Sequence, residues 1–141
     1  MGQNAYHAYS NFDDILKFWA NERPEDVALE QDGRTTSYAE LEENTRRIIA
    51  LMAANGVTKG DRVAWLGKNS DLYCQLYLAA ARIGVVMVPV GWRLAPPEIA
   101  YILKDTGAKI VFTGEEFGAL NLAGFGFQAN ATFVNGDVGF D

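Results

Sequence analysis

The sequence contains one histidine and one cysteine, and that scarcity narrows its chemistry at once. His7 stands alone near the N-terminus, so no His/Cys/carboxylate set with zinc-ligand spacing can be drawn. A Ser-His-Asp relay would have to recruit its base from a tail. Cys74 has no second cysteine for an internal disulfide. Its neighbours are Leu and Tyr, so the expected role is a small buried hydrophobe. Lys and Arg number 12 against 18 Asp and Glu, a net charge of −6. The basic residues are also scattered, whereas a nucleic-acid partner requires a clustered basic face. No nucleic acid is therefore expected. No apolar run approaches the roughly 20 residues that cross a bilayer, so no integral membrane segment is expected either. The start, Met1-Gly2-Gln3-Asn4-Ala5-Tyr6, is neither basic nor apolar enough for a secretory signal. Tyr6 stands where a myristoylation signal wants Ser or Thr. A cytoplasmic protein is the simplest reading.

Two phosphate-binding fingerprints are missing as well. A dinucleotide fold needs G-x-G-x-x-G after its first strand. The matching turn here, Leu66-Gly67-Lys68-Asn69-Ser70-Asp71, has one glycine. The P-loop pattern G-x-x-x-x-G-K-[ST] is absent. Gly67-Lys68 with the amides of Asn69 and Ser70 is a conceivable anion site at a helix start. An ordinary capped turn is the favoured reading.

What is present reads as an α/β domain, since 49% hydrophobic residues suffice for a core. Phe12, Ile15, Leu16 and Trp19 fall at helical spacing and predict an amphipathic helix over 11–21. Val27 to Glu30 and Thr35 to Ser37 flank Asp32-Gly33, a tight-turn pair, and predict a β-hairpin. Ser37-Tyr38-Ala39-Glu40 is a capping box. Leu41, Ile48, Ile49 and Met52 then form an apolar stripe, with Glu42, Glu43, Arg46 and Arg47 expected on a solvated face. Gly56 sits where a left-handed residue would end that helix. Arg62 to Leu66 reads as a strand. The helix that follows, Leu72 to Ile83, is apolar on nearly every side and predicts burial between layers. Gly84 stops it. Val85 to Val90 is a run of the kind found in strands covered on both faces. Pro96-Pro97-Glu98 opens another helix, closed by Gly107. Lys109 to Phe112 gives a third strand, and Thr132 to Asn135 a possible fourth. Alternating strands and helices imply a parallel sheet with helices on both faces and right-handed crossovers.

Candidate functional residues are few. Glu115 with Glu116, like Glu42 with Glu43, are sequence neighbours that point to different sides and read as solvated. The turn Gly91-Trp92-Arg93 follows the C-terminal end of the most apolar strand, the edge where open parallel sheets collect ligands. Arg93 there can hold a phosphate, and Trp92 can pack against a flat or apolar group. The alternative is structural: Trp92 covers the sheet edge while Arg93 pairs with Glu98. Spacing alone leaves both open.

The residue order adds a resemblance. Ser37-Tyr38-Ala39-Glu40-Leu41, Gly60-Asp61-Arg62-Val63-Ala64, Ala81-Arg82-Ile83-Gly84-Val85-Val86-Met87-Val88-Pro89-Val90, and Trp92-Arg93-Leu94 with Pro96-Pro97-Glu98-Ile99-Ala100-Tyr101-Ile102-Leu103 resemble successive motifs of the acyl-adenylate-forming superfamily. The likeness is to the N-terminal part of AMP-forming acyl-CoA synthetases, in the fatty-acid and aromatic-acid CoA ligase branch. Arg82-Ile83-Gly84, in place of Lys-Ala-Gly, separates the chain from the peptide-synthetase branch. Gly91 stands where the family often has Asn, and Ala95 where Thr or Ser would cap a helix.

Residues 1–11 are expected to be a flexible tail, and the resemblance implies that 12–141 are the N-terminal part of an adenylation domain, truncated before the family's phosphate loop. It also implies a parent enzyme that uses ATP, CoA and Mg²⁺ to activate a carboxylic acid and ligate it to CoA. No catalytic residue is expected within this chain. Arg93 and Trp92 are the candidate CoA contacts, the chain alone is expected to be inert, and a cut sheet edge favours self-association. The alternatives are a self-standing binding or dimerisation module and an unrelated nucleotide binder, the latter disfavoured by the missing fingerprint.

Overall fold

A computed structural model describes residues 9–135. His7 and the segment Gly136 to Asp141 lie outside the described residues. So do residues 1–8 of the expected tail; Ser10 N–H donates to Asp14, and Asn11 caps the first helix by accepting from Asp14 N–H.

The chain starts with helix α1 (Phe12–Glu22), then the hairpin strands β1 (Val27–Gln31) and β2 (Arg34–Ser37). Asp32 and Gly33 take φ of 50° and 79° at its tip, the left-handed pair that a two-residue hairpin turn needs and that Asp-Gly supplies. Helix α2 (Tyr38–Ala54) begins at once, with both hydrogen bonds of the capping box formed: Glu40 N–H to Ser37 Oγ at 3.1 Å and Ser37 N–H to Glu40 Oε2 at 2.9 Å.

The main unit follows as β3 (Arg62–Leu66), α3 (Asp71–Ile83), β4 (Val86–Val90), α4 (Pro96–Thr106), β5 (Ile110–Thr113) and, after two short 3₁₀ turns, β6 (Ala131–Val134). Its four strands are parallel in the order β4-β3-β5-β6. Side-chain alternation along the strands splits the core in two. Val63, Trp65, Ile110 and Phe112 pack with Ile48 and Met52 of α2 and with Leu72, Leu76, Ala79 and Ala80 of α3. Ala64, Leu66 and Val111 face the other way, onto Ile99, Ala100 and Leu103 of α4. Helices therefore cover both faces, as expected. Helix α1 lies outside this sandwich, against α2 and α3.

Four expectations change. The 85–90 run is not a doubly covered strand: β4 is an edge strand, and Val86 is 49% exposed. Pro89, which lacks an N–H to donate, fits an edge position. A β-branched run predicts a strand, but not the place it takes in the sheet. Helix α3 is not enclosed; Tyr77 and Cys74 are exposed, because α1 covers only part of its outer side. Cys74 is thus not a buried hydrophobe. Glu42, finally, is not on a solvated face.

The exception at Glu42 comes from three helices meeting. Arg82 of α3 donates from Nε to Asp13 Oδ1 of α1 at 2.6 Å, and from Nη1 and Nη2 to the two Glu42 oxygens of α2 at 2.9 and 2.6 Å. The bidentate fork is the geometry a guanidinium favours for a carboxylate. Lys17 pairs with Asp13 at 2.9 Å and Arg46 with Glu42 at 3.1 Å. Burial pushes the Asp13 pKa upward, but the hydrogen bonds from Lys17 and Arg82 outweigh it and hold the carboxyl below its ordinary value. The hydrogen bond from Arg82 likewise lowers Glu42 against the effect of burial.

Candidate functional site

Leu66, Val90 and Thr113 are in register across β3, β4 and β5, so the turns that follow them lie side by side at the C-terminal edge of the sheet. Gly67 and Gly114 let two of these turns touch. Gly114 N–H donates to Leu66 C=O at 3.0 Å. A Cβ on Gly67 would lie 2.6 Å from Trp65 Cζ2 and 3.2 Å from Gly114 N, so only glycine fits there without a shift.

Lys68, Trp92, Arg93, Glu116 and Phe117 meet at this edge. The Trp92 indole lies 6.1 Å from the Phe117 ring, centroid to centroid. The Arg93 guanidinium lies over the indole, 4.1 Å from its centroid, and Lys68 Nζ is 5.1 Å from it. Both distances fall within cation–π range. Lys68 also reaches Glu116 at 3.7 Å, a long and exposed pair of the kind that contributes little. Among the described residues no carboxylate pairs with Arg93. The structural alternative for it does not form, because Glu98 Oε2 instead accepts from Ala95 N–H at 2.8 Å. That bond is half of a capping box; Ala95 has no side-chain oxygen to supply the other half. Thr113 Oγ1, at the end of β5, is buried without a hydrogen-bond partner among the described residues.

The first-turn amides of α3 are engaged within the protein. Tyr73 N–H donates to Ser70 Oγ at 3.0 Å, Leu72 N–H to Asp71 Oδ1 at 2.9 Å, and Asp71 N–H to Gln31 Oε1 of the hairpin at 2.6 Å. Ser70 thus caps α3, as in an ordinary capped turn. Sequence reasoning singled out Trp92 and Arg93, weighed Lys68 only in a separate turn and passed over Phe117; Lys68 and Phe117 reach the same indole from 24 and 25 residues away in the chain. No local pattern signals such a meeting.

As to what this edge can hold, Arg93 offers guanidinium donors with no acid paired to them among the described residues, while Trp92 packs against the core on the α4 side. A guanidinium so placed suits a phosphate or a carboxylate. Among the described residues no group of three His, Cys, Asp or Glu side chains is placed to hold a metal ion. Nor is any helix among them long and apolar enough to cross a membrane.

A parallel sheet between helices, with cations and aromatic rings gathered beyond its strand ends, defines an α/β unit. The chain belongs to the AMP-binding enzyme family, whose profile matches residues 16–133. It is 42% identical over 101 residues to the fatty acid–[acyl-carrier-protein] ligase ScoC of Streptomyces coeruleorubidus, covering 72% of this chain and 20% of that protein. It is 44% identical over 78 residues to the long-chain-fatty-acid–CoA ligase FadD13 of Mycobacterium tuberculosis, covering 55% of this chain and 16% of that protein. The fold superposes on the crystal structure of the N-terminal domain of FACL13 from Mycobacterium tuberculosis with a TM-score of 0.82 and 29% identity, over 92% of this chain and 35% of that one. The chain thus spans about a fifth of the length of the curated relatives it matches.

Proposed function

We propose that residues 12–141 form the N-terminal part of the adenylation domain of an ATP-dependent acyl-CoA synthetase acting on a fatty or aromatic carboxylic acid. The observation that carries this reading is the family match over residues 16–133, joined to an arginine, Arg93, that pairs with no acid among the described residues at the C-terminal edge of the sheet. In the reaction, a carboxylate oxygen attacks the α-phosphorus of ATP and pyrophosphate leaves. The thiol of CoA then attacks the acyl carbon, and AMP leaves. Mg²⁺ would neutralise the ATP phosphates in the parent enzyme; its ligands are expected outside the described residues. This chain's share is a rigid sheet edge that presents Arg93 and Trp92 to CoA, and the isolated chain is catalytically inert. A cytoplasmic setting fits the single cysteine and the need for ATP and CoA.

Arg93→Ala in the intact gene product should raise the KM for CoA about tenfold, the worth of one charge-assisted hydrogen bond. An unchanged KM would remove Arg93 from the site. The outer strands β4 and β6, together with the exposed Phe12, Tyr77 and Tyr101, favour self-association of the isolated chain. Sedimentation should show concentration-dependent association, and a monodisperse monomer at high concentration would contradict this.

A further inference from the structure

We propose that α1 is a latch: it swings off the body of the molecule as one unit about Arg23, with Arg82 as the catch that holds it shut. Acid releases the catch before the sheet itself unfolds, and so bares the outer sides of α2 and α3 on which α1 lies.

Little apolar burial holds α1. Leu16 is its one buried apolar side chain, and among the described residues no α1 side chain joins either core. Phe12 meets the Tyr77 ring edge-on, 6.0 Å between centroids, but the two are 60% and 44% exposed, so this contact lies at the surface. An element with so few buried contacts opens at a lower free energy than the core strands. The backbone marks the hinge. Arg23 N–H closes α1 by donating to Trp19 C=O at 2.8 Å, and Pro24 cannot continue the helix. From Pro24 onward the chain is pinned to the body. Ala39 N–H donates to Pro24 C=O at 2.9 Å, and Tyr38 N–H to Asp26 C=O at 3.1 Å. A rotation at Arg23 therefore moves α1 without disturbing the hairpin or α2.

The catch is ionic. Arg82 donates once to Asp13 and twice to Glu42, and only the first of these bonds reaches α1. The charged groups that face Arg82 are Asp13 and Lys17 from α1 and Glu42 and Arg46 from α2. While both carboxylates are ionised, Asp13 bridges Lys17 to Arg82. Once both are protonated, three cations remain unopposed, and Lys17 is repelled by Arg82 and Arg46. Both carboxyls are held below their ordinary values. The catch is thus complete above those values and weakens as pH falls below them.

The test is amide hydrogen exchange on the intact gene product, followed by mass spectrometry segment by segment and corrected for intrinsic rates. At neutral pH the protection of α1 should lie at least about tenfold below that of β3 and β5. Acidification to about pH 4 should lower it about tenfold again while β3 and β5 hold. Asp13→Asn, which keeps the shape and removes the charge, should lower α1 protection about tenfold at neutral pH, spare β3 and β5, and flatten the acid effect. Protection of α1 equal to that of the strands, or a loss spread evenly over all segments, would overturn the proposal, as would an α1 indifferent to both acid and Asp13→Asn. Should Asp13→Asn fail to fold, the native sequence at the two pH values decides alone. The readout needs no substrate, so its outcome is separate from that of the ligase reading.

Discussion

Two arginines, eleven residues apart in sequence, end in opposite circumstances. Arg82 is enclosed by three helices and meets two carboxylates, Asp13 and Glu42, with three hydrogen bonds of 2.6 to 2.9 Å. Arg93 lies on the surface of an indole at the sheet edge and pairs with no acid among the described residues. The first arrangement spends its charge internally and locks α1 onto α2 and α3. The second keeps its charge available. The difference shows how a fold separates structural charge from binding charge: it is the count of acids within reach, and the burial that fixes them, that decides.

Mutating each arginine to alanine tests that contrast most directly. Arg82→Ala leaves Asp13 and Glu42 facing each other without their shared cation, and should cost about 2–4 kcal/mol of stability. The lower end applies because the rim of the cluster still touches water. Arg93→Ala should change stability by only about 0.5 kcal/mol, as at most exposed positions. Denaturant melts of both variants would check this, and equal losses would dissolve the comparison.

Acid gives the next effect. Asp13 and Glu42 are held below their ordinary values of 3.8 and 4.5. Their contribution is therefore complete above those values and is lost as pH falls through the lower folded-state ones. Arg82 is held above its ordinary value by its hydrogen bond to Glu42 and adds no dependence in this window. Stability of the native sequence should drop between about pH 5 and pH 2 more steeply than that of Asp13→Asn/Glu42→Gln. Parallel curves would mean that other carboxylates govern acid unfolding.

The smallest effect lies beside Arg93. Ala95→Ser would complete the half-formed cap of α4 and should add about 0.5–1 kcal/mol without changing the charge near Trp92. Such a gain, with CoA kinetics unaltered, would show that stability and binding are separable at this edge.

Much of the fold was legible because its signals are local. The hairpin tip at Asp32-Gly33, the box from Ser37 to Glu40, the proline start of α4 and the left-handed ends at Gly56, Gly84 and Gly107 all act within a turn or so of chain. Hydrophobic periodicity likewise marked the buried stripes of α2 and α4. The candidate site was legible in half. Trp92 and Arg93 follow a strand end, which a pattern can mark, whereas Lys68 and Phe117 reach the indole only through the register of β3, β4 and β5. Cys74 and Tyr77 were misread for a related reason. A helix apolar on all sides carries no phase, so its exposed side depends on where α1 stops.

The sequence by itself determined the kinds of element, their order and their ends, because caps, turns and side-chain period depend on residues a few positions apart. Tertiary structure alone decided that Val86 lies at an edge, that Glu42 is bound to Arg82 across 40 residues, and that two cations share one tryptophan. Those outcomes depend on which distant segments the sheet brings within a few ångströms, where Coulomb and packing energies become large enough to matter.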